Sequence, residues 1–127
     1  MKLGPDPPAG LVLSPLELAV LEAVARRLGA DAPAWRVQCQ AARVIARSHS
    51  GVGFVTRIDM PVETPALPPA TARRITAVRA SHPGLDEPAE FLLQLKGGRL
   101  LAIEAFCGSG LWPADERHFA IVPAGGG

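Results

Sequence analysis

Two alternating segments joined by a pair of glycines place the strongest constraint on the fold. Apolar and polar residues alternate over 90–96, and a strand pattern resumes over 99–106, after Gly97 and Gly98. Alternation with a period of two is typical of a strand with one buried face, and paired glycines accept the positive φ angles of a tight turn. The sequence therefore predicts a two-residue β-hairpin over 90–106.

A second hairpin is predicted earlier in the chain. Its first arm covers 41–48, Ser50 and Gly51 favour a turn, and its second arm follows over 52–60. The second arm alternates in the way expected of a strand with one buried face.

The same alternation predicts which side chains share a face of the sheet. Arg43 and Arg47 are expected on one face of their strand, with Val44 on the other. In the second arm of the later hairpin, one face is expected to carry Leu100, Ala102, Glu104 and Phe106.

Glu104 lies in the middle of a predicted strand, where a carboxylate needs either a partner or a polar cleft. The first interpretation is a cross-strand ion pair with one of the strand arginines, which are Arg43, Arg47, Arg57 and Arg79. The alternative is a pocket on that face, with Glu104 and an arginine as its polar groups.

A helix is predicted to begin at Ser14. Pro15 suits the first helical position, and Ser14 with Glu17 forms the sequence pattern of a capping box. Apolar residues then recur every four positions, and Gly29 favours the end of the helix. A second short helix or turn is expected within 31–40.

The order of these elements predicts an α+β fold, with an N-terminal helical segment packed on an antiparallel sheet of five or six strands. The segments 74–80 and 118–122 are weaker strand candidates, whereas four prolines within 61–69 predict a stiff surface loop. We expect a flexible lead-in over 1–10, a single domain over 11–123, and a disordered tail over 124–127.

Charge and hydropathy argue against several classes of protein. The 13 basic and 12 acidic residues nearly cancel, so a nucleic-acid partner is not expected. No apolar run reaches the roughly 18 residues of a membrane span, and the first residues lack the apolar core of a secretory signal. We therefore expect a cytoplasmic protein that binds no membrane.

No catalytic or metal site is predicted from the candidate residues. Cys107, His118 and Glu104 resemble a thiol, base and acid set, but nothing in the sequence brings them together. The histidines stand singly, without paired ligand spacing, and the glycine-rich segments adjoin strands rather than helix starts. We expect no metal and no cofactor, and we take Glu104, Cys107 and Trp112 as the candidate binding surface, although Trp112 also suits a lid over the core.

A resemblance involves the segments SGVGFVTRIDMP at 50–61 and EFLLQLKGGRLLAIEAFCGSGLWP at 90–113. Their pattern resembles a group of small bacterial proteins with a GVGF strand and a G-x-L-x-x-[LI]-E hairpin followed by a W-P loop, a group without an established activity. Ser50 and Cys107 depart from it, since a threonine and further aromatic residues are usual there. The matching positions are Gly51, Val52, Gly53, Phe54, Gly98, Leu100, Ile103, Glu104, Trp112 and Pro113.

These observations favour a small non-enzymatic binding or interaction protein, of an immunity-like or accessory kind. The alternative is a small-molecule-binding or hydrolytic protein with a pocket near Glu104 and the Trp112 loop. A homodimer through a sheet edge is a further expectation, with the strand at 91–95 or the strand at 119–122 as the free edge.

Overall fold

Two helices precede a six-stranded antiparallel sheet in the computed structural model, which describes residues 11–123. The predicted lead-in at 1–10 and the predicted tail at 124–127 lie outside the described residues. The elements are α1 (Pro15–Ala25), α2 (Ala32–Ala41), β1 (Arg43–Ser50), β2 (Gly53–Asp59), α3 (Pro69–Arg73), β3 (Val78–Ser81), β4 (Ala89–Lys96), β5 (Arg99–Phe106) and β6 (Ala120–Ile121).

The strands are ordered β1-β2-β5-β4-β3-β6, and all neighbours are antiparallel. The α+β prediction is confirmed, and both predicted hairpins are present as β1–β2 and β4–β5. Of the two strands predicted as a possible free edge, the one at 119–122 is an edge, as β6, whereas β4 pairs with β5 on one side and, at residues 89–91, with β3 on the other. The edges of the sheet are β1 and the two-residue strand β6.

The capping box predicted at the start of α1 is confirmed. The Ser14 hydroxyl accepts from the Glu17 backbone N–H at 3.1 Å, and the Glu17 carboxylate accepts from the Ser14 N–H at 2.8 Å. These bonds satisfy two donors that a helix start otherwise leaves unpaired. Helix α1 ends at Ala25, before Gly29, which begins a short 3-10 turn.

The core lies between the helices and one face of the sheet, which we call the covered face. Trp35 of α2 is fully buried there, and its indole N–H donates to the Leu21 carbonyl at 2.9 Å, so the largest core side chain leaves no polar atom unpaired. The principal core residues of the helices are Leu16, Val20, Leu21, Val24, Leu28 and Trp35, and those of the sheet are Phe54, Ile58, Val78, Phe91, Leu100 and Ile103.

A β-bulge in β1 changes the faces that simple alternation predicts. Its extra residue is Ile45, between Val44 and Ala46. An extra residue reverses the alternation beyond it. Arg43 and Arg47 therefore lie on opposite faces of the sheet, and the prediction that they share one face is wrong.

A second bulge, at Leu101 of β5, has the same effect. Leu100 lies opposite Leu95, but Ala102 lies opposite Gln94, so Leu101 is the extra residue. Leu100 is consequently buried on the covered face. The prediction that it shares a face with Glu104 is wrong.

The two hairpins are joined along the seam between β2 and β5. Gly53 lies opposite Phe106 in this seam, and a Cβ atom built on Gly53 would stand 1.8 Å from the carbonyl oxygen of Ala105. No side chain fits at that distance, so the close approach of the two strands requires glycine there.

Gln38 of α2 ties the helices to the proline-rich loop and the β4–β5 turn. Its amide N–H groups donate to the carbonyls of Pro65 and Gly98 at 2.8 and 2.9 Å, and its carbonyl accepts from the Leu100 N–H at 3.0 Å. This side chain is fully buried, and the three bonds offset the cost of its burial. The loop is therefore held against the sheet, and it leads into α3, which the sequence did not predict.

Candidate functional site

The second face of the sheet, which we call the open face, carries no helix of residues 11–123. Helices α1, α2 and α3 all pack against the covered face. The open face includes apolar side chains and charged or polar ones. The apolar members are Ile45, Val55, Leu92, Leu101, Ala102 and Phe106, and the charged and polar members are Arg43, Ser48, Arg57, Asp59, Arg79, Glu90, Gln94 and Glu104.

Both β-bulges place a large apolar side chain on the open face. Ile45 is 56% exposed and Leu101 is 46% exposed, and Leu92 of β4, the strand next to β5, is 36% exposed. Ile45 and Leu101 line a shallow hollow of about 310 Å³ together with Arg57. A solvated sheet face is ordinarily polar, so this cluster of apolar side chains departs from the expected pattern.

Sequence reasoning missed Ile45 and Leu101 because it assumed unbroken alternation. One signal was available, since each of them directly follows another large apolar residue, Val44 or Leu100. Two consecutive apolar residues in an otherwise alternating strand indicate either a strand buried on both faces or a bulge.

Glu104 lies near the centre of the open face, half-buried, opposite Val55 of β2 and Leu92 of β4. None of the ion pairs formed within residues 11–123 includes it, so the structure does not form the expected cross-strand pair. Arg57 lies diagonally across, opposite Ala102. The two residues directly opposite Glu104 are therefore apolar, and the nearest cation of this face stands at a diagonal position.

Arg47, another expected partner of Glu104, instead binds Glu17 on the covered face. Its guanidinium lies 2.5 Å from the Glu17 carboxylate and also donates to Thr56 and to the Val12 carbonyl. The Thr56 hydroxyl donates to the other Glu17 oxygen. Glu17 is fully buried, and the Arg47 side chain is only 12% exposed, so this network ties α1 to the centre of the β1–β2 hairpin.

Cys107 is buried just beyond the end of β5. Its thiol donates to the carbonyl of Val52 at 3.3 Å, and its backbone N–H donates to the same carbonyl at 2.9 Å. His118 contacts Asp115 and His82 instead. The thiol, base and acid set that the sequence suggested is therefore not assembled, because Glu104 faces the other side of the sheet.

Trp112 lies on the covered side, at one end of the core. Its ring packs 5.5 Å from Phe54, 5.9 Å from Phe91 and 5.1 Å from Phe119, measured between ring centroids. Its indole N–H donates to Glu116 at 2.8 Å. These contacts favour the lid interpretation over that of an exposed anchor.

Glu104 and Trp112 thus lie on opposite faces of the sheet and do not form one site. Trp112 contacts Phe54, whereas Glu104 lies opposite Val55, the next residue of β2, which points the other way. A hollow of about 520 Å³ beside the Trp112 loop is lined by His49 and Glu116, and Glu104 does not reach it.

The shifted pKa values lie away from the open face. Burial raises the pKa of the Cys39 thiol, on α2, to about 12, which keeps it protonated at neutral pH. Hydrogen bonds from Arg117 lower the pKa of Asp115 to about 2. Neither shift creates an acid or base that titrates near neutral pH.

Residues 11–123 contain no group of three or more His, Cys, Asp and Glu side chains placed to hold a metal ion. In the same part of the chain, no helix combines the length and apolar character needed to cross a membrane.

Comparison with known proteins found no matching family model, no matching curated protein and no matching solved structure. The relation to bacterial proteins with the GVGF strand therefore stays a prediction, and the functional argument depends on the geometry of the site.

Proposed function

We propose that the protein is a small, non-enzymatic cytoplasmic binding protein, immunity-like or accessory, that takes a protein partner on its open face. The observation that carries this proposal is the pair of bulges, each of which places a large apolar side chain on the uncovered face. Bulges are over-represented where a strand redirects a side chain for function, and exposed apolar clusters often mark interaction sites.

The chemistry of the open face specifies the kind of partner. Glu104 lies half-buried between apolar side chains, so a partner that covers this face would also exclude water from its carboxylate. A buried carboxylate needs a cation or hydrogen-bond donors. The complementary surface therefore carries an arginine or lysine surrounded by apolar residues, in the manner of an interface centre.

The surroundings of the two cysteine thiols support a non-enzymatic role. The Cys107 thiol is buried and donates to a backbone carbonyl, and the Cys39 thiol has a raised pKa. A catalytic thiol needs a lowered pKa and access to substrate.

Site-specific photo-crosslinking in the native cytoplasm tests the proposal. A photoreactive residue at Leu101 is expected to give one discrete adduct with another protein, and the same residue at Val62, an apolar position that is 86% exposed but lies in the proline-rich loop, is the matched control. Introducing Glu104→Lys is expected to abolish the Leu101 adduct by placing two cations in contact.

Two results would contradict this function. The first is equal labelling from Leu101 and Val62, which would mean that the open face is not selective. The second is a Leu101 adduct that persists unchanged with Glu104→Lys, because the carboxylate would then have no part in recognition.

A further inference from the structure

A groove separate from the open face lies on the covered side of the sheet, between α3 and the end of β4. It has a volume of about 600 Å³, which is within the usual range for sites that hold small molecules. Its lining includes the apolar side chains of Leu93 and Leu95, together with the buried Leu67. The β4–β5 turn closes one end.

The loop wall of the groove is formed before any ligand binds, because hydrogen bonds hold the proline-rich loop against the β4–β5 turn. The Leu67 N–H donates to the Gly98 carbonyl at 2.9 Å, and the Gln38 amide donates to the same carbonyl. Arg99 donates to the carbonyls of Thr64 and Val62, both at 3.1 Å. Binding into a preformed site avoids the cost of ordering a loop.

Gly98 is necessary for this arrangement in two ways. Its φ angle is +78°, in the left-handed region, and a Cβ atom built on it would stand 2.3 Å from the carbonyl oxygen of Leu67. Glycine therefore allows the proline-rich loop to approach the turn closely enough to form a wall of the groove.

The groove has one charged lining residue, Arg73, the last residue of α3. Its guanidinium is exposed and belongs to none of the ion pairs formed within residues 11–123. No acidic side chain lines the groove. A lining that is more apolar than polar and carries a single cation is complementary to an amphipathic molecule with a single negative charge.

We propose that this groove binds a small amphipathic monocarboxylate. The apolar part of the ligand packs on Leu93 and Leu95, and its carboxylate pairs with the Arg73 guanidinium, whose planar set of donors matches the two carboxylate oxygens.

Calorimetric titration of the full chain with octanoate and with octanamide tests the proposal, because the two probes share an apolar chain and differ in charge. Octanoate is expected to bind at a single site. Arg73→Gln is expected to weaken octanoate binding about tenfold, as for the loss of one partly exposed charge-assisted bond. Octanamide binding is expected to be the same with Arg73→Gln as with the unaltered chain.

Arg74→Gln is the matched control, since Arg74 is the adjacent exposed arginine and does not line the groove. It is expected to leave octanoate binding unchanged. Equal weakening by Arg73→Gln and Arg74→Gln would show only diffuse attraction to positive charge and would overturn the proposal. Absence of octanoate binding at millimolar concentration would also overturn it.

Amide chemical shifts locate the bound probe. Octanoate is expected to shift the signals of Leu95, Gly97 and Gly98, and shifts confined to the Trp112 loop would overturn the assignment. A dimeric mass by light scattering, with groove shifts that grow with protein concentration, would assign the groove to a second copy of the chain and would likewise overturn it.

Discussion

The two faces of the sheet differ in whether a buried or half-buried carboxylate has bonded partners. On the covered face, Glu17 is fully buried and bonded to Ser14, Arg47 and Thr56. On the open face, Glu104 is half-buried between two apolar cross-strand neighbours and belongs to none of the ion pairs within residues 11–123.

Under the proposed function, the charged groups of the covered face serve stability and those of the open face serve recognition. A buried charge whose partners are all present holds the fold in one arrangement, and removing one partner leaves the others buried without compensation. A half-buried carboxylate beside exposed apolar side chains contributes little to the fold. It is suited to a partner that supplies the missing cation.

Breaking the covered-face network is expected to have the largest effect. Glu17→Ala leaves the Arg47 guanidinium, 12% exposed, without its carboxylate, and it also removes the capping box of α1. The free energy of unfolding is expected to fall by about 3–5 kcal/mol in urea denaturation. Glu22→Ala, which removes an exposed carboxylate of the same helix, is the control and is expected to change it far less.

Gln38→Ala is expected to have the next largest effect. It leaves the carbonyl of Pro65 and the N–H of Leu100 without their partner on α2. The expected loss is about 2–3 kcal/mol of unfolding free energy. Gln40→Ala, on the exposed side of the same helix, is expected to stay within about 0.5 kcal/mol of the unaltered chain.

On the open face, Leu101→Gln is expected to leave stability nearly unchanged. Leu101 is 46% exposed and lies at a bulge, so the unfolding free energy is expected to move by no more than about 0.5 kcal/mol. The same change is expected to weaken partner capture strongly. A loss of several kcal/mol of unfolding free energy would mean that Leu101 packs as a core residue. The open face would then stabilise the fold as the covered face does.

The smallest effect concerns an exposed carboxylate, Asp115, whose pKa is lowered from 3.8 to about 2 by hydrogen bonds from Arg117. A lowered pKa means that the ionised form stabilises the fold above pH 3.8, and that this contribution is lost as the pH falls through 2. Asp115→Asn is therefore expected to lower Tm slightly at neutral pH. The Tm values of Asp115→Asn and of the unaltered chain are expected to converge as the pH falls toward 2. A difference in Tm that stays the same at every pH would show that the ionised carboxylate is not its cause.

Most of the fold was predictable because its signals are local. The capping box at Ser14 and Glu17 and the glycine pair at 97–98 each specify a structure within a few residues. The faces of β1 and β5 were not predictable by alternation, since the two bulges depend on how neighbouring strands pair. The short helix α3 also lacked a strong local signal.

The candidate site was predicted only in part. Glu104 was selected because a carboxylate within a strand is unusual, and the structure places it on the uncovered face. That Trp112 lies on the other side depends on tertiary packing against Phe54 and Phe91. The groove at α3 was not predictable either, because it forms where the proline-rich loop meets a turn that is distant in the sequence.

The β2–β5 seam, where the strands approach closely at Gly53, affects the rate of folding. Each hairpin closes locally, but the β2–β5 seam joins segments that are separated by α3, β3 and β4. Pairing distant segments is slow, because loop closure comes before the contacts that offset its entropy. We therefore expect docking of the two hairpins to limit the folding rate, and Ile103→Val, at a buried seam position, to slow refolding in stopped-flow measurements more than it accelerates unfolding.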